Sequence, residues 1–325
     1  MGVPADRRLS HWRGGTMNSM RSLLCFLATT IVTTGQPAPG DAVHAIVRAF
    51  DDHQAVILGE AHWLQQAGDL YIRLVRDAAF QSEVNDIVVE FCSRNSQPIL
   101  DRYTSGEAVP FEELCHVWRD TTKVASWESP VYQEWLTAIR DVNRKLRPAR
   151  RLRVIGGDTP IEWTKIRTHS DWAALGDNNV SFASVIMDGI AKGRKVFVVL
   201  GTNHVTRNGD RNHDPDVTTR VESRFPKSTF VILLHNTPQM TDWPVPSIYG
   251  LRGTHLGAMK DANGDPLDRL TDALLYLGPK STLKTVKPRL GSIDPAYLNE
   301  LHRRSMIEWG HPFQKELFFD LDSAH

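Results

Sequence analysis

Two short motifs place a glycine three residues ahead of a histidine: Gly59-Glu60-Ala61-His62 and Gly201-Thr202-Asn203-His204. Each follows an apolar run directly, residues 55–58 in the first case and 196–200 in the second. Three further apolar runs also end in polar residues: 87–89 in Glu90, 152–155 in Gly156-Gly157-Asp158, and 230–234 in His235-Asn236. Histidines and carboxylates gathered in one cleft allow two chemistries. Either His62, Glu90 and His204 ligate a divalent metal that lowers the pKa of bound water, or one histidine takes a proton from water while Glu60 or Glu90 orients it. Both routes end in hydrolysis.

A single Gly-x-x-His means little, because 22 glycines and 13 histidines in 325 residues make about one such spacing expected by chance. The signal is that both follow an apolar run, where glycine permits a tight turn and a close approach of ligand to backbone. The bland alternative is that His62 and His204 only tie loops together. Glu90 weighs against it, since a carboxylate at the end of a buried strand needs a cation, a histidine or a metal to offset its desolvation. Asp158 is either a third carboxylate of the cleft or the cap of the segment after Thr159-Pro160. His235 either extends the cluster or serves the turn after its run.

These residues share a cleft only if the five runs are strands of one sheet. The runs are nearly continuous in apolar residues, as strands buried on both faces are. Helical spacing fills the gaps, at 64–80, 131–146, 181–191 and 216–225, with a further helix at 295–309. Strand, helix, strand succession predicts an α/β fold with a mostly parallel sheet covered by helices on both faces. In such sheets ligands bind at the carboxyl ends of the strands. Residues 93–123 break the alternation and read as a helical insertion after the second strand that forms a lid or a cleft wall, and 250–266 reads as a long loop.

Lysine plus arginine and aspartate plus glutamate both number 38, so no net field draws nucleic acid. A small-molecule ligand or substrate is the expected partner, and the sequence sets no oligomeric state. Arg21 followed by the apolar run 23–32 and the Pro/Gly stretch 36–40 reads as a signal peptide. That run is about half the ~20 residues of a membrane-spanning helix. The expected organisation is an N-terminal extension and signal peptide over 1–40, with Met17 and Met20 as alternative starts, and an α/β domain over 41–325, exported to the periplasm or the cell exterior. Cys92 and Cys115 would remain after export, either as one disulfide or as two buried thiols. Serine-hydrolase elbow, Walker, dinucleotide and zincin signatures do not occur.

The motif Val56-Ile57-Leu58-Gly59-Glu60-Ala61-His62 resembles the Gly-Glu-x-His opening of erythromycin-esterase-like and ChaN-like proteins of the Tiki superfamily, and Gly201-Thr202-Asn203-His204-Val205 is similar to their second histidine motif. Val89-Glu90-Phe91, then Gln97, Leu100-Asp101, Tyr103 and Gly106, looks like the ChaN-like pattern, and Trp118, Tyr132 and Asn143 fall where that family tends to place them. The resemblance spans roughly 56–205. It implies the α/β fold and a shared polar site of Glu60, His62, Glu90 and His204, and it leaves two functions open. One is a hydrolase, metal-assisted or metal-free. The other is a haem or iron-porphyrin binding protein, with Tyr103 or a histidine as iron ligand and Asp158 and His235 beside the ligand.

Overall fold

The computed structural model describes residues 38–207, 214–236 and 240–321. The secretory segment read from the sequence lies outside these residues except for its last three. Among the described residues, β1 (Gly40–Asp41), β2 (Ala55–Glu60), β3 (Asp86–Ser93), β4 (Arg153–Asp158), β5 (Val196–Gly201), β6 (Thr229–Leu234), β7 (Ser247–Gly250) and β8 (Ala273–Tyr276) form one sheet. Their order is β1-β7-β8-β6-β2-β5-β3-β4. From β8 through β4 every pairing is parallel. Only β7 and β1 at the edge are antiparallel. The mostly parallel α/β sheet expected from the sequence is therefore the observed fold.

β2, β3 and β5 are buried along their whole length. Strand alternation divides their side chains between two cores. Val56, Leu58, Ile87, Val89, Phe197 and Val199 face the helices Gln65–Arg76, Gln97–Ser105 and Pro130–Asn143. Ala55, Ile57, Val88, Val196, Val198 and Leu200 face Asn178–Ala191 and Val217–Arg224.

The expected helix over 64–80 divides into Gln65–Arg76 and Ala78–Glu83, because the Asp77 carboxylate accepts the N–H groups of Ala79 and Phe80 and starts a second helix. The expected loop at 250–266 contains the short helix His255–Ala258, capped by the Thr254 hydroxyl. The short strands β1, β7 and β8 carry too few residues for a periodic signal. Cys92 and Cys115 are both buried and free. The 93–123 insertion holds Gln97–Ser105, Phe111–Leu114 and His116–Arg119, and its end runs into the irregular stretch 120–128. No helix among the described residues is long and apolar enough to cross a membrane.

Candidate functional site

The alternation that turns Val56 and Leu58 toward the first core turns Glu60 the same way, onto two tyrosines. The Tyr71 hydroxyl donates to Glu60 Oε2 and the Tyr132 hydroxyl to Oε1, each at 3.0 Å. His62 Nδ1 lies 2.9 Å from the same Oε1. A carboxylate that accepts three bonds in the interior is satisfied and immobile, and an Nδ1–H donor leaves the lone pair of His62 on Nε2. Among the described residues that nitrogen has no hydrogen-bond partner. Trp127 meets the imidazole edge-on, with ring centres 4.6 Å apart. Trp63, the next residue, takes a left-handed φ of 69°, which a bulky side chain adopts only when its surroundings impose it. Its indole N–H donates to the Ser126 carbonyl and its backbone N–H to the Tyr132 hydroxyl, so both ends of the turn are held.

Glu90 sits where β3 departs from regular pairing. Val89 pairs with Gly156 but Ser93 pairs with Asp158, so two extra residues bulge from β3. Pairing with β5 ends at Val89–Val199. The Gly201 N–H, freed from the ladder, donates to Glu90 Oε2 at 2.6 Å. Glycines at 156 and 157 are the condition for the bulge: a Cβ on Gly156 would stand 2.7 Å from the Ser93 carbonyl oxygen and 2.8 Å from that of Cys92. One on Gly157 would stand 2.8 Å from the Phe182 ring. Bulges of this kind aim side chains at functional sites.

His204, in the short turn of helix Thr202–Val205, places Nε2 3.4 Å from Glu90 Oε1 and Nδ1 2.7 Å from Asn179 Oδ1. Gly201 is the point on which the groups converge. A Cβ there would lie 3.2 Å from His62 Cε1, 3.3 Å from Glu90 Oε2 and 3.6 Å from His204 Cδ2. The sequence motifs thus bring Glu60, His62, Glu90 and His204 together across the adjacent strands β2, β5 and β3.

Asp158 adjoins them and is 1% exposed. It accepts from the Thr122 N–H and hydroxyl at 2.6 and 2.7 Å and from the Asn178 amide at 3.0 Å, so it clamps the 120–128 stretch and does not cap the segment that follows it. Burial, aided by the charge of Glu90, pushes its pKa up to about 7 against the Thr122 bonds that lower it. For His62, burial pulls the pKa down, but the Glu60 bond and the charges of Glu60 and Glu90 outweigh it and hold the imidazole above its ordinary range. For Glu90, burial pushes up, and the contacts with His204, His62 and the Gly201 N–H prevail and hold it below the usual carboxylate range.

Tyr103 and His235 join this cluster by no contact. The Tyr103 hydroxyl bonds Thr137 Oγ1 at 3.0 Å and its ring lies 4.8 Å beneath the Arg140 guanidinium, so its polar end faces the seam between the helices Gln97–Ser105 and Pro130–Asn143. His235 lies at the carboxyl end of β6, where its N–H donates to the Leu275 carbonyl. Burial alone lowers its pKa. Among the described residues no three His, Cys, Asp or Glu side chains converge as metal ligands. His62 spends Nδ1 on Glu60 and Glu90 spends Oε2 on a backbone N–H, which leaves His62 Nε2 uncommitted and Glu90 Oε1 facing His204. Sequence reading missed Tyr71, 11 residues from Glu60, and Asn179, 25 residues from His204, because neither stands in a motif. Trp127 and Tyr132 in the site come from around the start of the helix Pro130–Asn143.

No family model matches the sequence, and no curated protein matches it. Among solved structures, the chain is similar to a succinoglycan biosynthesis protein, with a TM-score of 0.54 at 11% identity over 75% of this chain and 94% of that one. An erythromycin esterase in its open conformation aligns with a TM-score of 0.48 at 10% identity, covering 74% of this chain and 94% of the esterase. The haem-binding protein ChaN of Campylobacter jejuni aligns at 0.40 and 11% identity over 71% and 90% of the two chains. At such identities what is shared is the fold.

Proposed function

We propose that this chain is a metal-free hydrolase of carboxylic esters in which His62 is the general base that activates water. One observation carries the reading: a buried carboxylate, fixed by two tyrosine hydroxyls, holds Nδ1 of His62 and leaves Nε2 open beside Gly201. General-base catalysis requires such an imidazole, held in one orientation by a fixed carboxylate with its second nitrogen free to take a proton. The Glu90–His204 pair forms the opposite wall and supplies a second imidazole to the same space. Haem binding gains no support from the geometry, since the hydroxyl of Tyr103 is engaged with Thr137.

The test is turnover of a panel of aryl and alkyl esters by the purified chain and by His62→Ala and His204→Ala. The expected result is loss of turnover with His62→Ala by about 10²–10⁴-fold at an unchanged melting temperature. Full activity in both variants would sink the reading. Elemental analysis of the active protein checks the metal-free route, and a stoichiometric divalent metal lost with His62→Ala would restore the metal-assisted one. Export belongs to the same proposal and is checked by N-terminal sequencing of the protein recovered from the periplasm or medium.

A further inference from the structure

Lys123 stands at the edge of this site on a stretch of backbone that is pinned from both sides. On one side Thr122 gives its N–H and hydroxyl to buried Asp158. On the other, the Val124 N–H points to Glu308 Oε2 at 3.4 Å, and Glu308 is 8% exposed. Two residues on, Ala125 takes a left-handed φ of 57°, and Ser126 is tied to Trp63, the neighbour of His62. Two buried carboxylates and a strained residue thus hold the backbone on both sides of this lysine in place, so its side chain reaches out from a fixed point.

The ammonium is not saturated by what holds it. Nζ lies 3.9 Å from Glu308 Oε1, beyond hydrogen-bonding distance, and the side chain is 40% exposed. Its charge bears on both His62 and Asp158. Ester hydrolysis needs a hydrogen-bond donor or a cation for the oxyanion that forms on the carbonyl. The Gly201 N–H donates to Glu90, which engages it and leaves it unsuited as a donor toward a reacting carbonyl. A negative charge developing between His62 and the walls of Glu60 and Glu90 would meet carboxylates unless a cation intervened.

Building on the hydrolytic reading, we propose that the Lys123 ammonium binds the carbonyl oxygen of the ester and stabilises the oxyanion formed there. In the first step water gives a proton to His62 Nε2, its oxygen bonds the carbonyl carbon, and the C=O π pair moves onto oxygen beside Lys123. In the second step that pair re-forms the carbonyl, the C–O bond to the leaving group breaks, and the alkoxide takes the proton from His62. The products are a carboxylic acid and an alcohol, and Lys123 keeps its protons throughout. The alternative is that Lys123 merely balances Glu308, a role that affects melting and leaves turnover alone.

Wild type, Lys123→Met, Lys123→Arg and His62→Ala are compared on 4-nitrophenyl acetate and butyrate, with thermal melting alongside. Lys123→Met should lower kcat by on the order of 10²–10³-fold with little change in KM, and Lys123→Arg should restore part of it. Unchanged kcat in Lys123→Met overturns the proposal. Methylphosphonate, a tetrahedral anion, is titrated calorimetrically into the same proteins. Binding by wild type and His62→Ala that is lost in Lys123→Met supports the anion contact even where no ester is turned over, an outcome that rejects the hydrolytic reading alone. Absence of binding by wild type, or equal binding by Lys123→Met, overturns the proposal.

Discussion

Two tyrosine hydroxyls and an imidazole close on Glu60 inside the protein, and the chemistry of His62 depends on that enclosure. The base is competent when neutral, so kcat/KM should fall as pH drops through the raised His62 pKa, and a pH–rate profile locates that limb above the ordinary value of 6.5. Glu60→Gln keeps the size of the side chain and removes the charge. Burial then acts against a weaker opposition, so the acid limb should move to lower pH while the plateau falls by about 10²–10⁴-fold. A limb that stays in place would show that Glu60 does not set the protonation of His62. The glutamate and the histidine were legible because they adjoin an apolar run. Tyr71 and Tyr132 were not legible as partners, since they lie 11 and 72 residues from Glu60 along the chain.

At the scale of elements, the central strands were readable because burial on both faces writes them as unbroken apolar runs, and their polar ends marked the edge where the candidate site lies. The two-residue bulge in β3 was not, because Glu90-Phe91-Cys92 looks like ordinary strand until the partner's glycines are seen beneath it. Gly156-Gly157 carried that information in a form that also reads as a turn. Gly156→Ala tests the account. Its Cβ would meet two backbone carbonyls, which cannot rotate away, so the variant should lose about 1–3 kcal/mol of stability and most of its activity, as the bulge that carries Glu90 shifts. Gly250→Ala is the control. That glycine has open space around it and no left-handed φ, and urea midpoint and turnover should both stay near wild type.

Over the whole molecule, the sheet brings three carboxylates, Glu60, Glu90 and Asp158, to one edge and a helix adds Glu308 nearby, and such a gathering costs stability that the rest of the fold must supply. Topology of this kind was legible as alternation, whereas the approach of Glu308, from the C-terminal helix Pro295–Glu308, depends on a return of the chain that no local pattern encodes. The cost is measurable at Asp158, whose pKa rises from 3.8 to about 7 on folding. Its protonated form is the one the fold favours, so its contribution is fully present below pH 3.8 and is lost as pH rises toward and through 7. The full loss amounts to roughly 4 kcal/mol as an upper bound. Glu90 acts in the opposite sense, contributing above the ordinary carboxylate range and losing its contribution as pH falls through its lowered pKa, so below pH 5 the two trends oppose each other. Between pH 5 and 8 Asp158 acts in the same sense as the raised His62 and Glu308, all three losing their contribution as pH rises. Asp158→Asn keeps an acceptor for Thr122 and removes the titration, so its unfolding free energy, followed by urea denaturation, should decline less over that interval than that of wild type. It should equal or exceed wild type at pH 8. A parallel pH dependence in the two proteins would show that Asp158 is charged at neutral pH and that the clamp on Thr122 is an ordinary ionised one.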